Sequence, residues 1–455
     1  MKPILSALLL WLLMLSGCGQ GPKQLDEVRS RGLLRVASVN GPTAIYEGAQ
    51  GVMGMEHDLV RLFASRLGVL TEIRLAENET QALKWLEEGQ VDLVAAGLVI
   101  SPRRRGQIRF GPGYQNIDQL LVYRNQADQP QPKTLADLKG GHIELLPDPD
   151  LEAILEGAVR KVPGLSWSLH PDKSQEELIN RVAEGTSQYG VIASPLFSLM
   201  RRYWPQLKSS FSLQQNRQLA WAFARKRDKS LLKEAQAFFA AIGATGELQQ
   251  LIERYYGHTD RLNFVDIMVF RRHCRERLPK FLAGFKYAAL ETGIDWRLLA
   301  AISYQESHWD PDATSPTGVR GLMMLTQGTA SDLKLDDRTK PIQSIVGGAR
   351  YLRQLEEKLP KQINEPDRGW FALAGYNVGF GHLQDARLLA MMEERDPDKW
   401  AVIKDYLPRL SEKHWYEKTT YGYARGNEPV RYVDNIRSYY DLLVQMDRKE
   451  GGIVQ

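Results

Sequence analysis

Between Leu25 and about Tyr256 the apolar positions alternate between strand-length runs and helical spacing. Leu34, Val36 and Ala37 to Val39 form a short apolar run after Arg31-Gly32, which predicts a strand. Leu59, Phe63 and Leu67 then fall four apart on one helix face, with Gly68 placed to end that helix. Val69 to Leu75 predicts the next strand. A helix over Thr80 to Glu88 then leads through Gly89 into a strand at Val91 to Ala95. This succession is the rhythm of a parallel-rich sheet covered by helices. It recurs, since Leu178, Ile179, Val182 and Glu184-Gly185 before Tyr189 to Ala193 echo Leu83, Leu86 and Glu88-Gly89 before Val91 to Leu93. A repeated helix–Gly–strand unit predicts two similar lobes.

Farther along, Asp295 is a candidate N-cap for an apolar helix on which Leu298, Ile302 and Glu306 fall four apart. They share the core-facing side, so Glu306 carries a carboxyl into apolar surroundings. Such surroundings disfavour the charged form, raise the pKa and let the group hold a proton near neutral pH. A general acid for glycosidic cleavage requires that property. A solvated last-turn Glu is the alternative reading of the same position.

The chain has 455 residues and a net charge of +4. That length favours two or three domains, and so weak a charge gives no support to a nucleic-acid partner. Lys2 followed by apolar Ile4 to Leu15 has the length of a signal peptide and is too short for an ordinary membrane span. It runs into Leu15-Ser16-Gly17-Cys18, which resembles a bacterial lipobox. The resemblance implies a lipoprotein signal peptide over 1–17, acyl chains on Cys18 and a tether over 18–26. Gly19 stands where an Asp would signal inner-membrane retention, so the expected address is the periplasmic face of the outer membrane of a Gram-negative cell. A plain secretory signal with an incidental Cys is the alternative. Cys274 is the other cysteine, so no intramolecular disulfide is expected beside an acylated Cys18. No Cys/His spacing suggests a metal site, and no cofactor is expected.

Four ordered segments give Glu306 its context: Gln305-Glu306-Ser307, Gly321-Leu322-Met323, Tyr376-Asn377 and Arg431-Tyr432-Val433. Over about residues 268 to 445 the chain resembles the soluble-lytic-transglycosylase domain, the lysozyme-like enzymes of bacterial cell-wall turnover. That resemblance implies a mainly α catalytic domain over 268–455, with peptidoglycan as substrate. It also implies one Glu serving both proton transfers, a 1,6-anhydro product and no consumption of water. Carried over by motif, Ser307 would bond near the leaving sugar, and Tyr376 and Tyr432 would lie against Glu306. Asn377 would hold an N-acetyl group and Met323 would form an apolar wall, although ordinary core packing suits Met323 equally well. The chain departs from the family at Met324, where Gln is usual, at Thr326-Gln327 and at Gly375. These departures put the saccharide contacts around Met324 in question. A muramidase of the same fold and a non-catalytic wall-binding or ligand-sensing lipoprotein are the rival readings.

The first half carries Gly54-Met55-Glu56-His57-Asp58-Leu59, Ser101-Pro102-Arg103-Arg104-Arg105, Phe110 to Tyr114 and the closing Gly246 to Gly257. It resembles the solute-binding proteins of the amino-acid-binding type, which implies a two-lobed α/β domain, periplasmic-binding-protein-like, over 27–257. Lobe one is expected over 27–122 and 218–257, and lobe two over 123–217. Arg104 takes the family's position for the arginine that clamps a ligand carboxylate, a task suited to a guanidinium fork. A solvated basic turn is the alternative there. Tyr114 is the second candidate ligand residue. Ser194 falls where the family places an acid for the ligand's amino group. A stem peptide or other muropeptide with a carboxylate and no adjacent free amine is therefore the expected ligand, with a vestigial cleft as the other possibility. The link over 258–267 is short and partly apolar, so the halves are expected to pack together. In this order the two domains resemble the membrane-bound lytic murein transglycosylases.

Overall fold

A computed structural model describes residues 23–48, 51–125, 131–259 and 264–449. The expected leader and Cys18 lie outside the described residues. Among those residues, no helix is long and apolar enough to cross a membrane.

The alternating pattern of the first half folds as a nine-stranded mixed sheet. In spatial order its path runs Leu70–Ala76, Leu33–Val39, Leu93–Val99, Leu207–Ala224, Gln115–Arg124, Tyr189–Ala193, His142–Leu145 and Ser166–Leu169, while Ile108–Phe110 pairs with Leu207–Ala224. Leu33–Val39 is parallel to both its neighbours, and Tyr189–Ala193 is parallel to His142–Leu145. Each of these parallel groups is the sheet of one lobe.

Two long antiparallel strands, Gln115–Arg124 and Leu207–Ala224, connect the lobes. Register irregularities interrupt their pairing between Ser209 and Ser212, Ser212 and Gln214, and Gln214 and Arg217. Bulges bend and twist a strand, which lets one sheet serve two lobes. The cores separate within these strands. Ile117, Trp221 and Phe223 pack with Phe63 and Phe238 in lobe one, whereas Leu121 and Tyr123 pack with Ile143 and Leu155 in lobe two.

The second half is helical. Trp296–Ser307 begins at Asp295, whose side chain accepts the Arg297 N–H. It ends at His308, and both His308 and Trp309 are left-handed, with φ of 52° and 55°. Two consecutive non-glycine residues in that region are strained. Buried Trp309 fixes the turn by donating its indole N–H to the Ala300 carbonyl at 2.9 Å and meeting Tyr304 edge-on. The long helix Asn427–Lys449 packs on Trp296–Ser307 and on Asp367–Val378.

That long helix also joins the halves. Arg437 pairs with Glu253 at 3.3 Å and donates to the Glu253 and Arg254 carbonyls at 2.9 and 2.8 Å. Asp441 meets Arg202 of lobe two at 3.1 Å and His258 of the link at 2.7 Å. Burial, helped by Arg437, pushes the His258 imidazole down to about 3, so it is neutral. Ser438 donates to the His258 carbonyl, and Arg271 donates to the Tyr203 carbonyl at 2.8 Å. His258 and Thr259, the described residues that begin the link, are buried.

Candidate active site

Glu306 is the penultimate residue of Trp296–Ser307 and is partly buried. Burial pushes its carboxyl up to about 7, against the smaller opposing effect of the Tyr432 hydroxyl, which donates to Oε1 at 2.5 Å. Tyr432 comes from Asn427–Lys449, and its ring stacks against that of Tyr376 with centroids 6.5 Å apart and planes 14° apart. Tyr376, on Asp367–Val378, donates its hydroxyl to the Met323 carbonyl at 2.8 Å. Burial and the nearby Glu306 hold both phenols well above their usual range, so they act as neutral donors. Three helices and the segment before Gln327–Asp332 thus converge on one carboxyl.

Two motif residues, Ser307 and Met323, sit differently from the roles carried over by motif, Met323 taking the core reading. Ser307 is 6% exposed, and its hydroxyl lies 3.0 Å from both the Ser303 and Leu322 carbonyls, with Ser303 adding a bond to Leu322 at 3.1 Å. It clamps the Leu322 segment to the Glu306 helix, and its one proton is directed at backbone rather than at a sugar. Met323 is fully buried and packs over Gly348, where a Cβ would come within 2.6 Å of Cε. It is core rather than wall, because the gap left by that glycine fits its side chain. Met324, the departure from the family pattern, is the partly exposed member, at a left-handed φ of 46°. Asn377 is exposed near the end of Asp367–Val378.

Sequence reasoning missed the supports of this segment. Ser344 accepts the Met323 N–H at 3.0 Å. Gly347 and Gly348, within Pro341–Lys358, admit Leu325, Leu335 and Met323 against that helix. Glycine inside a helix costs about 1 kcal/mol each, and a glycine pair within a helical pattern was the available signal. Gly321 has φ of 97°, and a Cβ there would collide with the Arg338 carbonyl.

In the first half, a cavity of about 60 Å³ lies between the lobes, lined among others by Thr43, Glu79, Lys173, Glu176, Pro195 and Tyr256. Arg104 is 14% exposed. It pairs with Glu79 at 3.9 Å and donates to the Pro147 carbonyl of lobe two. Arg103 is 60% exposed, so the three arginines do not form a uniform solvated turn. Tyr114 belongs to the lobe-one core: it is 5% exposed, bonded to the buried Glu56 and stacked on Phe239. Glu56 needs buried donors, and Tyr114 supplies one alongside Trp221 and Gly97, which removes Tyr114 from the ligand set. Ser194 stands where the family places an acid, yet Glu79 and Glu176 both line the cleft. Burial pushes Glu79 up to about 7 despite Arg104. Ser194 accepts the Asp118 N–H at 3.0 Å at the crossover. Among the described residues, no cluster of His, Cys, Asp and Glu could hold a metal ion.

Residues 34–258 match the family of bacterial extracellular solute-binding proteins, family 3, and residues 284–398 match the transglycosylase SLT domain. The second match takes in Glu306, Ser307 and Tyr376 but stops short of Tyr432. An arginine-binding protein from T. maritima, as its P235GK mutant, is 24% identical over 51% of this chain and 99% of its own, with a TM-score of 0.45. The membrane-bound lytic murein transglycosylase F of Stutzerimonas stutzeri (strain A1501) is 44% identical over 95% of this chain and 88% of its own. That of Marinobacter nauticus is 42% identical over 97% and 87%. With both domains matched in this order and relatives of this identity spanning nearly its whole length, the chain belongs to the membrane-bound lytic murein transglycosylase F family.

Proposed function

We propose that the chain cleaves the β-1,4 bond between N-acetylmuramic acid and N-acetylglucosamine in peptidoglycan, leaving 1,6-anhydro ends, with Glu306 as the one acid and base. The observation that carries this reading is the Glu306 carboxyl at about 7, governed by burial and by Tyr432. Among the described residues, no second carboxylate contributes to that value, whereas most glycosidases flank the bond with two. Protonated Glu306 gives its proton to the linking oxygen as the bond from that oxygen to the muramoyl C1 breaks. N-acetylglucosamine leaves with a free hydroxyl, and the muramoyl N-acetyl oxygen shelters the cation at C1. Glu306, now a carboxylate, takes the proton of the muramoyl C6 hydroxyl as that oxygen bonds to C1. Atoms balance without water. The test is to digest purified peptidoglycan and weigh the products. Anhydro muropeptides are one water lighter than hydrolysed ones, and hydrolysed products alone would make the enzyme a muramidase.

We further propose that the first half senses a wall fragment. The cavity of about 60 Å³ is far below the roughly 300 Å³ or more of ordinary ligand sites, so a peptide ligand requires the lobes to part around the Arg104–Pro147 contact. Arg104 suits a stem-peptide carboxylate, while Glu79 and Glu176 suit an amine on the same fragment. Arg202 of lobe two and Glu253 of lobe one both touch the helix that carries Tyr432. Lobe motion therefore has a direct route to Glu306. Anchoring to the outer membrane through acylated Cys18 is the third part of the proposal. Cys18→Ala is expected to move the protein from membrane to soluble fractions, and unchanged fractionation rejects the anchor.

A further inference from the structure

The segment from Lys413 to Gly426 carries Trp415, Tyr416, Tyr421 and Tyr423. Tyr421 is 62% exposed and Tyr423 56%. A lone exposed aromatic needs no explanation, but Tyr421 is held by a buried charge. Asp385, 2% exposed, directs both carboxylate oxygens at this loop, accepting the Thr420 N–H at 3.0 Å and the Tyr421 N–H at 2.9 Å. Burying a carboxylate is costly unless donors surround it, so the position of Tyr421 is fixed at some expense. Under its ring lies Gly381, where a Cβ would come within 2.7–2.8 Å of ring carbons, and His382 meets the ring edge-on at 6.0 Å. Gly381 is five residues beyond Tyr376, a stretch reaching at most about 18 Å, and Tyr376 stacks on Tyr432. The Tyr421 ring therefore stands within a few sugar lengths of the Tyr376–Tyr432 pair.

We infer that Tyr421, seated on Gly381 and fixed by Asp385, is a stacking platform for a sugar ring of the glycan strand beyond those flanking Glu306. The inference rests on the reading of Glu306 as the site of glycan cleavage. A β-1,4-linked N-acetylhexosamine shows an apolar C–H face between polar edges, and tyrosine offers a flat apolar face with a polar tip. A rigid aromatic grips a polymer with little entropy to lose. Grip that is equally strong in the ground state and the transition state lowers KM and leaves kcat alone.

The test compares Tyr421→Ala, Tyr421→Phe and Gly381→Ala in a Glu306→Gln background. Sedimentation is measured with purified sacculi and with glycan strands stripped of stem peptides. Removing the ring, or displacing it with the new Cβ, is expected to weaken binding to both materials about tenfold, while Tyr421→Phe binds as the parent does. In the active enzyme, Tyr421→Ala raises KM on long strands by a similar factor with kcat held. Unchanged sedimentation overturns the inference. A loss confined to sacculi also overturns it, since the ring would then grip stem peptide. A fall in kcat at constant KM overturns it too, marking a brace for Tyr432. A parent enzyme that releases no anhydro product counts against the reading of Glu306, and the stripped-strand comparison still decides Tyr421.

Discussion

The hydroxyl of Tyr432 donates to Glu306 Oε1 across 2.5 Å, joining residues 126 positions apart. The bond favours the ionised carboxylate, burial disfavours it, and burial wins, leaving the group at about 7. An acid poised there can give up a proton and take one back near neutral pH.

Glu306→Gln keeps the side chain's shape and cannot exchange a proton. Wall digestion, read as release of soluble muropeptides, is expected to fall about a hundred- to ten-thousand-fold. A variant keeping more than about a tenth of wild-type activity rules Glu306 out as the acid. Stability moves the other way. The folded value of about 7 lies above the unfolded value of 4.5, so the folded state holds the proton more tightly. Wild type therefore loses stability as pH rises from about 4.5 to about 7 and does not regain it above. Gln lacks this cost, so the variant should unfold about 1–3 kcal/mol harder at pH 8 and almost equally at pH 4.

Tyr432→Phe removes the bond that favours the charged form. Glu306 should then titrate higher still, and the alkaline limb of the kcat/KM profile should shift upward. Turnover at pH 6 should fall by about ten- to a hundredfold, the worth of one bond to a charged group. A profile that keeps its alkaline limb shows that Tyr432 does not tune the acid.

Glu253→Ala takes a carboxylate from both Arg437, 5% exposed, and Lys404, leaving Arg437 with Trp370, Asp434 at 3.7 Å and its backbone acceptors. Removing one partner of a buried pair costs about 3–5 kcal/mol. Urea unfolding should show that loss, and wall digestion should fall with it, because Arg437 and Tyr432 share a helix. A loss below about 1 kcal/mol means that the two halves are stabilised independently.

Arg104→Ala removes the fork that faces Glu79 and Pro147. Calorimetry should show weaker binding of stem peptide, and any change the peptide makes in the digestion rate should shrink while basal activity is kept. Typical coupling of this kind is about 1–3 kcal/mol. Peptide binding at full strength to Arg104→Ala places the site elsewhere.

Much of the local architecture is written in neighbouring residues. Asp295 caps the Glu306 helix, and Gly68 and Gly185 end theirs at φ of 72° and 84°, because a cap or stop is decided within a turn or two of chain. The spacing of Leu298, Ile302 and Glu306 likewise placed the carboxyl before any fold was known. The separation of the lobe cores inside Gln115–Arg124 was not legible, since a strand that continues from one core into the next carries no turn signal. Nor were the directions of polar groups. Ser307 points at Leu322, Tyr376 at Met323 and Tyr114 at Glu56, acceptors 15, 53 and 58 positions away. A hydroxyl turns to whichever acceptor packing brings within about 3 Å, and motif order does not contain that choice. The sequence by itself singled out Glu306 as the candidate acid; only the tertiary structure, by packing its helix against two helices from distant parts of the chain, buries the carboxyl and pushes it up to about 7.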